Sequence, residues 1–302
     1  MRALHSWKDG SATILVEGLQ RPLRVLHITD VHLGLIDERD GEYIAQCQGC
    51  EERFLHRHQN VDEHGRPLPA RAAYAQILAS FADQELDLIA LTGDIVDIPM
   101  QASVDFARAK LKATGAPFLY TAGNHDWLYP TDEEEGFLDM EALRTRGWPV
   151  LEPLHGGAPA GDLCDIGGVR FLSIDNSTYQ ITAEQLEFTR ESLAAGLPTV
   201  ILTHIPLSIP TLRPPTIEMM AGSILLADPG WSMEERRESH VGADTPETLA
   251  FVSLVAGAEN LLAILCGHIH FAHVDSIAPQ AVQYVGGPGF AGEYRLLELR
   301  PL

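Results

Sequence analysis

Pro117-Phe118-Leu119-Tyr120 runs through a two-residue turn into Gly123-Asn124-His125-Asp126. An apolar strand, a sharp glycine turn and then three side chains able to bind a metal or move a proton is how an α/β chain places chemistry at a strand's carboxyl end. Alone, the tetrapeptide reads equally as an ordinary turn, because Gly and Asn both tolerate positive φ. The other strand ends change that reading. Asp30-Val31-His32 closes the apolar run 23–29, Gly93-Asp94-Ile95-Val96-Asp97 follows 86–91, His204 follows 199–203, and Gly267-His268-Ile269-His270 follows 261–266. Polar clusters at the ends of five separate apolar runs are hard to obtain by chance, and their order lets them converge on one rim.

Working outward, strands are expected over 12–17, 23–29, 86–91, 148–154, 162–166, 169–174, 199–203 and 261–266, and again within the tail 272–299. Helices are expected over 70–82 and 102–112. A further helix opens at the capping box Thr182-Ala183-Glu184-Gln185 and runs to 194, and another starts at Thr245-Pro246-Glu247. Alternating strands and helices define a layered α/β chain. Two stretches break the rhythm: 37–69, which holds Cys47-Gln48-Gly49-Cys50, His56, His58 and His64, and 207–244, rich in proline. With no repeat and no low-complexity linker, the reading is one domain over 1–302 carrying two insertions, each starting close to a candidate ligand and expected to wall the pocket.

A chain of 302 residues, 45% hydrophobic and 21% charged, can bury a large core. Its formal charge of −21 argues against a nucleic-acid polymer or an anionic membrane as the main partner. No run approaches the roughly eighteen apolar residues of a membrane span, and the first ten residues lack a signal-peptide core. Four cysteines in so long a chain are no disulfide framework. A cytoplasmic protein is expected; oligomeric state is not legible.

In a strand-like segment, side chains two apart point the same way, so Asp30 with His32 and His268 with His270 each present two ligands while Val31 and Ile269 point into the fold. Adding Asp94, Asn124 and His204 gives seven oxygen and nitrogen ligands without cysteine. That is too many for one tetrahedral ion and suits two ions with open positions. Two divalent ions about 3.5–4 Å apart can bind a bridging hydroxide as nucleophile and clamp an in-line displacement at phosphorus. They also supply the positive charge an acidic chain lacks.

With those residues named, the chain resembles the calcineurin-like metallophosphoesterases, whose pattern is D-x-H, G-D-x-x-D, G-N-H-D/E, a later histidine and G-H-x-H. All five elements are present between Asp30 and His270. The resemblance implies a two-sheet β-sandwich flanked by helices, four layers in the order αββα. It implies a first metal on Asp30, His32, Asp94 and His270, a second on Asp94, Asn124, His204 and His268, and Asp94 as the bridge. It also implies His125 as general acid at the leaving group, with Asp126 as its orienter. Purple acid phosphatases have a tyrosine where this chain has Asp97, so Mn²⁺, Fe²⁺ or Zn²⁺ is expected rather than ferric iron. Protein serine/threonine phosphatases carry arginine directly after the second aspartate, where Ile98-Pro99 stands here. The motifs lie nearest the bacterial phosphodiesterase and small-phosphatase branch, cyclic-nucleotide type included, although His204-Ile205-Pro206 matches it only loosely.

The resulting expectation is a phosphodiesterase acting on a small-molecule ester, possible nucleotides among them. A phosphomonoesterase with the same metals is the first alternative and a silent scaffold of the fold the second; scaffolds tend to lose ligands, and here every one is kept. Two other patterns compete for attention. Gly287-Pro288-Gly289-Phe290-Ala291-Gly292 matches G-x-G-x-x-G, but only ten residues follow it, too few for a dinucleotide unit, and it reads as a turn. Cys47, Cys50, His56 and His58 could form a small zinc site, yet their spacing is not a common one and inert cysteines are the favoured reading. Thr131-Asp132-Glu133-Glu134-Glu135 reads as a solvated loop.

Overall fold

Adjacent residues on the central strands sort into different cores, as the twofold period of a strand requires. This is seen in a computed structural model that describes residues 1–45, 47–55, 61–62, 64–129, 139–156 and 161–302. The strands are β1 (Ala3–Lys8), β2 (Ser11–Val16), β3 (Leu23–Ile28), β4 (Leu88–Thr92), β5 (Phe118–Thr121), β6 (Gly161–Ile166), β7 (Val169–Ile174), β8 (Thr199–Leu202), β9 (Leu261–Cys266), β10 (His273–Ala278), β11 (Ala281–Val285) and β12 (Arg295–Pro301). They form two six-stranded mixed sheets, ordered β1-β2-β12-β3-β4-β5 and β10-β11-β9-β8-β7-β6. Val25, Leu88, Ala90, Phe171, Val200, Ala263 and Leu265 fill the space between the sheets. Their neighbours Leu26, Ile89 and Leu91 face outward onto helices α1 (Ala70–Ala79) and α2 (Gln101–Thr114). Leu172, Ile201 and Ile264 face the opposite outer layer, which includes Phe251 and Val255. Strands buried on both faces read as continuous apolar runs, which is why β4 and β9 were legible.

The remaining helices are α3 (Asn124–Trp127), α4 (Met140–Leu151), α5 (Ala183–Ala194), α6 (Arg213–Met220), α7 (Met233–Glu238) and α8 (Pro246–Gly257). The box before α5 forms as expected, with Gln185 N–H donating to Thr182 Oγ1 at 3.2 Å and Thr182 N–H to Gln185 Oε1 at 2.9 Å. One strand expectation fails. Residues 148–154 finish α4 and pass into a 3₁₀ turn, Glu152–Leu154. Short apolar runs do not distinguish a strand from a buried helix end, and Trp148, Val150, Leu151 and Leu154 reach the same core beside Trp127 that a strand there would have reached. Edge strand β1 has no sequence signal, since of its six residues Ala3 alone is buried.

The stretch 207–244 is less irregular than its prolines suggest, holding α6 and α7. The Gly-Pro-Gly-Phe stretch is indeed a turn, with a short 3₁₀ segment Gly289–Ala291. His56, His58 and the charge run 131–135 lie outside the described residues. Cys47, Cys50, Cys164 and Cys266 are free thiols. Among the described residues no helix is long and apolar enough to cross a membrane.

Candidate metal centre

Strands β3, β4 and β5 run parallel, as do β7, β8 and β9, so each trio ends on one edge of its sheet. Cross-sheet hydrogen bonds put the two edges on the same rim. His204 Nδ1 lies 2.8 Å from Thr92 O, and His268 N–H donates to the Asp30 carboxylate at 2.9 Å. The loops that follow are not extended. Asp30, His32, Asp94, His268 and His270 all have left-handed backbones, with φ of 51°, 52°, 51°, 73° and 54°. Val31 and Ile269 still point into the fold, fully buried. The expected convergence is present, but alternating left-handed residues produce it. Each such residue costs about 1–2 kcal/mol, and strain of this kind persists where surrounding bonds over-determine it. Here Val31 and His32 N–H both donate to Asp94 O, at 2.8 and 2.9 Å, and Phe290 N–H donates to Asp30 O at 3.0 Å.

Six of the seven candidate ligands fall into two overlapping sets. Asp30, His32, Asp94 and His270 offer donor atoms within 4.8 Å of one another, and so do Asp94, His204 and His268. Asp94 belongs to both. Asn124, the seventh, begins α3, and the next residue's N–H donates to Asp94 Oδ1 at 2.9 Å. Asn124 Oδ1 is buried with no hydrogen-bond partner among the described residues. A buried acceptor left bare costs about 1–3 kcal/mol, which a cation beside it would remove. Donors of carboxylate, amide oxygen and imidazole suit Mn²⁺, Fe²⁺ or Zn²⁺. The residues therefore fit divalent ions.

The histidines are held by their outer nitrogens. His32 Nδ1 meets Asp97 Oδ1 at 3.2 Å and His204 Nδ1 meets Thr92 O, so both turn Nε2 toward the carboxylates. Ligating imidazoles depend on such partners for tautomer and orientation. Asp97 also takes His125 Nδ1, at 3.0 Å. This corrects the expected role of Asp126. Its carboxylate accepts the N–H groups of Gly123, Asp94 and Val96, at 2.7, 2.8 and 2.9 Å, and so fixes the loops. Consecutive residues on a helical turn do not face each other, so His125 finds its partner in Asp97, in the loop that follows β4.

Electrostatics agree with a cation site. Burial resists charge on His204, but Asp94 outweighs it and lifts the pKa to about 9. Burial and the neighbouring His204 push His268 down to about 3. Asp94 thus favours the charged form of His204, and a metal ion taking His204 Nε2 would displace the proton there. For His125, too, burial opposes charge, while Asp94 and Asp97 hold its pKa at about 9.

Several contributors were not anticipated. The Arg53 guanidinium donates through Nη1 to Asp97 Oδ1 at 3.3 Å, and Phe54 sets its ring centroid 4.4 Å from that of His32 and 4.6 Å from that of Phe290. Both come from the 37–69 stretch, which therefore reaches the candidate ligand His32 and its partner Asp97. The loop after β7 supplies Asn176, whose Oδ1 accepts from His204 and Ile205 N–H at 3.0 Å each, and Tyr179, whose hydroxyl lies 2.6 Å from His268 Nε2. A signal existed: Asp175-Asn176-Ser177-Thr178 closes an apolar run just as the five recognised clusters do. Gly93 shows how tight the rim is. Its φ is +88°, and an added Cβ would lie 2.5 Å from His204 Nδ1 and 2.6 Å from Gly123 N. Gly93→Ala is expected to cost about 2 kcal/mol or more, from left-handed strain plus overpacking, read as a lowered melting temperature. An unchanged melt would contradict this account of the turn.

The family model for calcineurin-like phosphoesterases matches residues 23–272. A Psychrobacter arcticus protein named a probable cyclic nucleotide phosphodiesterase is 26% identical over 255 residues, covering 82% of this chain and 74% of its own. Among solved structures, a dimetal phosphatase from Danio rerio aligns with a TM-score of 0.55 at 12% identity, covering 91% of each chain. A purple acid phosphatase from yellow lupin (Lupinus luteus) seeds aligns at 0.56 and 13%, covering 93% of this chain and 46% of its own. At those identities the structural likeness speaks for the fold alone.

Proposed function

The chain belongs to the calcineurin-like phosphoesterase family and is a phosphoric ester hydrolase; from that premise we propose that it cleaves a small-molecule phosphodiester with two divalent ions. One ion rests on Asp30, His32, Asp94 and His270, the other on Asp94, Asn124, His204 and His268. The observation that carries this reading is the membership of Asp94 in both compact donor sets, with His125 beside them. When bound, the ions supply Lewis acidity and the positive charge that faces the phosphoryl oxygens.

The remaining steps belong to the protein. Asp97 takes His125 Nδ1, which leaves Nε2–H as the proton for the departing oxygen. The His125 side chain is 28% exposed, so a substrate can reach it. Arg53, tied to Asp97, adds a positive group beside that donor. The diester preference draws on the likeness to the Psychrobacter arcticus protein. The net charge of −21 points to a small anion rather than a nucleic-acid polymer. The test is turnover, with added Mn²⁺, of phosphomonoesters, linear diesters and cyclic nucleotides. Diesters, cyclic or linear, are expected to show the higher kcat/KM. A monoester preference would reverse the substrate reading, and two bound ions with no turnover of any ester would remove hydrolysis as the function.

A further inference from the structure

The loop that follows β7 attends to both histidines of the second proposed ligand set, and it does so with different atoms. Asn176 holds the His204 backbone from both sides, accepting from His204 and Ile205 N–H and donating to Ile205 O at 2.8 Å. Tyr179 holds the His268 ring. Its own backbone is left-handed, at φ 60°, and the turn is closed by Tyr179 N–H donating to Asn176 O at 2.8 Å. His268 is oriented the opposite way to its neighbours. Its Nδ1 lies 3.2 Å from His204 Nε2 at the carboxylate cluster, and its Nε2 lies 2.6 Å from the Tyr179 hydroxyl. If Nδ1 is to offer a lone pair, the ring proton must sit on Nε2, and the tyrosine oxygen is the acceptor placed to keep it there.

The tyrosine is itself braced. Its ring lies 5.2 Å from that of Trp231, which belongs to the 207–244 stretch and is buried. The Arg236 guanidinium covers Trp231 at 4.7 Å and is fixed by Gly242 O at 3.0 Å and the Asp244 carboxylate at 2.7 Å. A run of packed groups therefore leads from α7 to His268.

We propose that Tyr179 is the positioning residue for the second ion, that its hydroxyl selects the His268 tautomer with Nδ1 free, and that Trp231 holds it in place. The inference rests on the reading that Asp94, Asn124, His204 and His268 hold an ion. It gives the 207–244 stretch a task in metal loading beyond that of a wall. Tyr179→Phe removes one oxygen and keeps the ring against Trp231, so a packing role alone would leave metal binding untouched.

The experiment titrates the metal-free full chain with Mn²⁺, following free ion by its paramagnetic resonance signal and bound ion by elemental analysis. Wild type is expected to take up two ions. Tyr179→Phe should weaken one binding step by about 10–100-fold and leave the other unchanged. Trp231→Leu should weaken the same step, and the melting temperature of each metal-free variant reports whether the fold has survived. Two wild-type steps in Tyr179→Phe would overturn the proposal, as would equal weakening of both. Fewer than two ions on wild type is a different failure, which removes the two-ion reading beneath it.

Discussion

Asp94→Asn is expected to lower kcat/KM by about three orders of magnitude or more, the several kcal/mol that metal charge contributes at phosphorus, with little change in the melting temperature of the metal-free chain. Asp94 Oδ1 accepts the His125 N–H at 2.9 Å, and Oδ2 lies 3.2 Å from His204 Nε2 and 3.7 Å from His32 Nε2. An amide keeps the first bond and the shape of the side chain. It loses the negative charge that both proposed ions share and can present N–H₂ to His204 where a carboxylate oxygen stood. Both ions are therefore expected to bind more weakly together. The measurement is kcat/KM with bound metal counted on the same sample, beside a thermal melt. Near-normal activity with a single tight ion in the variant would end the shared-carboxylate reading.

His125→Ala is expected to separate substrates by their leaving groups. An alkoxide from a sugar or an aliphatic alcohol is a strong base and needs a proton as its bond to phosphorus breaks, whereas a nitrophenolate leaves without one. Loss of a general acid costs about 10²–10⁴-fold, so alkyl or nucleoside esters should slow by that order and the nitrophenyl ester distinctly less. His125 is equipped for the task, with Nδ1 on Asp97 at 3.0 Å and a part-exposed ring. Stabilisation of phosphoryl oxygens alone would penalise both esters alike. The comparison is kcat/KM on a matched ester pair at unchanged metal content. Equal losses would make His125 a phosphate-binding group, and no loss would remove it from the reaction.

The strands and the clustering of the candidate ligands could be read from sequence because both leave periodic or positional traces: apolar runs for β3, β4, β8 and β9, and a polar cluster after each. What could not be read depends on distance along the chain. His125 and Asp126 are neighbours in sequence and serve different purposes, since a helical turn sends them apart and brings Asp97 to His125. Trp148 to Leu154 has the composition of a strand and the surroundings of a helix end, and only the core it joins decides. Tyr179 and Arg53 carry no motif; their roles arise from contacts with His268 and Asp97, 89 and 44 residues away. The left-handed backbones of Asp30, His32, Asp94, His268 and His270 leave only a weak trace in residue type: all five are Asp or His, which tolerate that region better than most residues without demanding it as glycine would.

The division of the ligands between two sheets has a consequence for the order in which the molecule comes into being. Asp30, His32, Asp94 and Asn124 follow strands of one sheet, and His204, His268 and His270 follow strands of the other. Each proposed ion draws on both. Made from its amino end, a growing chain completes β3, β4 and β5 early and exposes a carboxylate-rich half-site long before its partners exist. The second set lacks a member until His268 has been added and the first until His270, by which point most of the polypeptide has been synthesised. A lone ion captured by the early half would be held by fewer donors than either finished set provides. Neither proposed set is complete before both sheets have come together, and the first sheet itself waits for β12, so tight binding of either proposed ion is expected to follow folding of the whole chain rather than to guide its early steps.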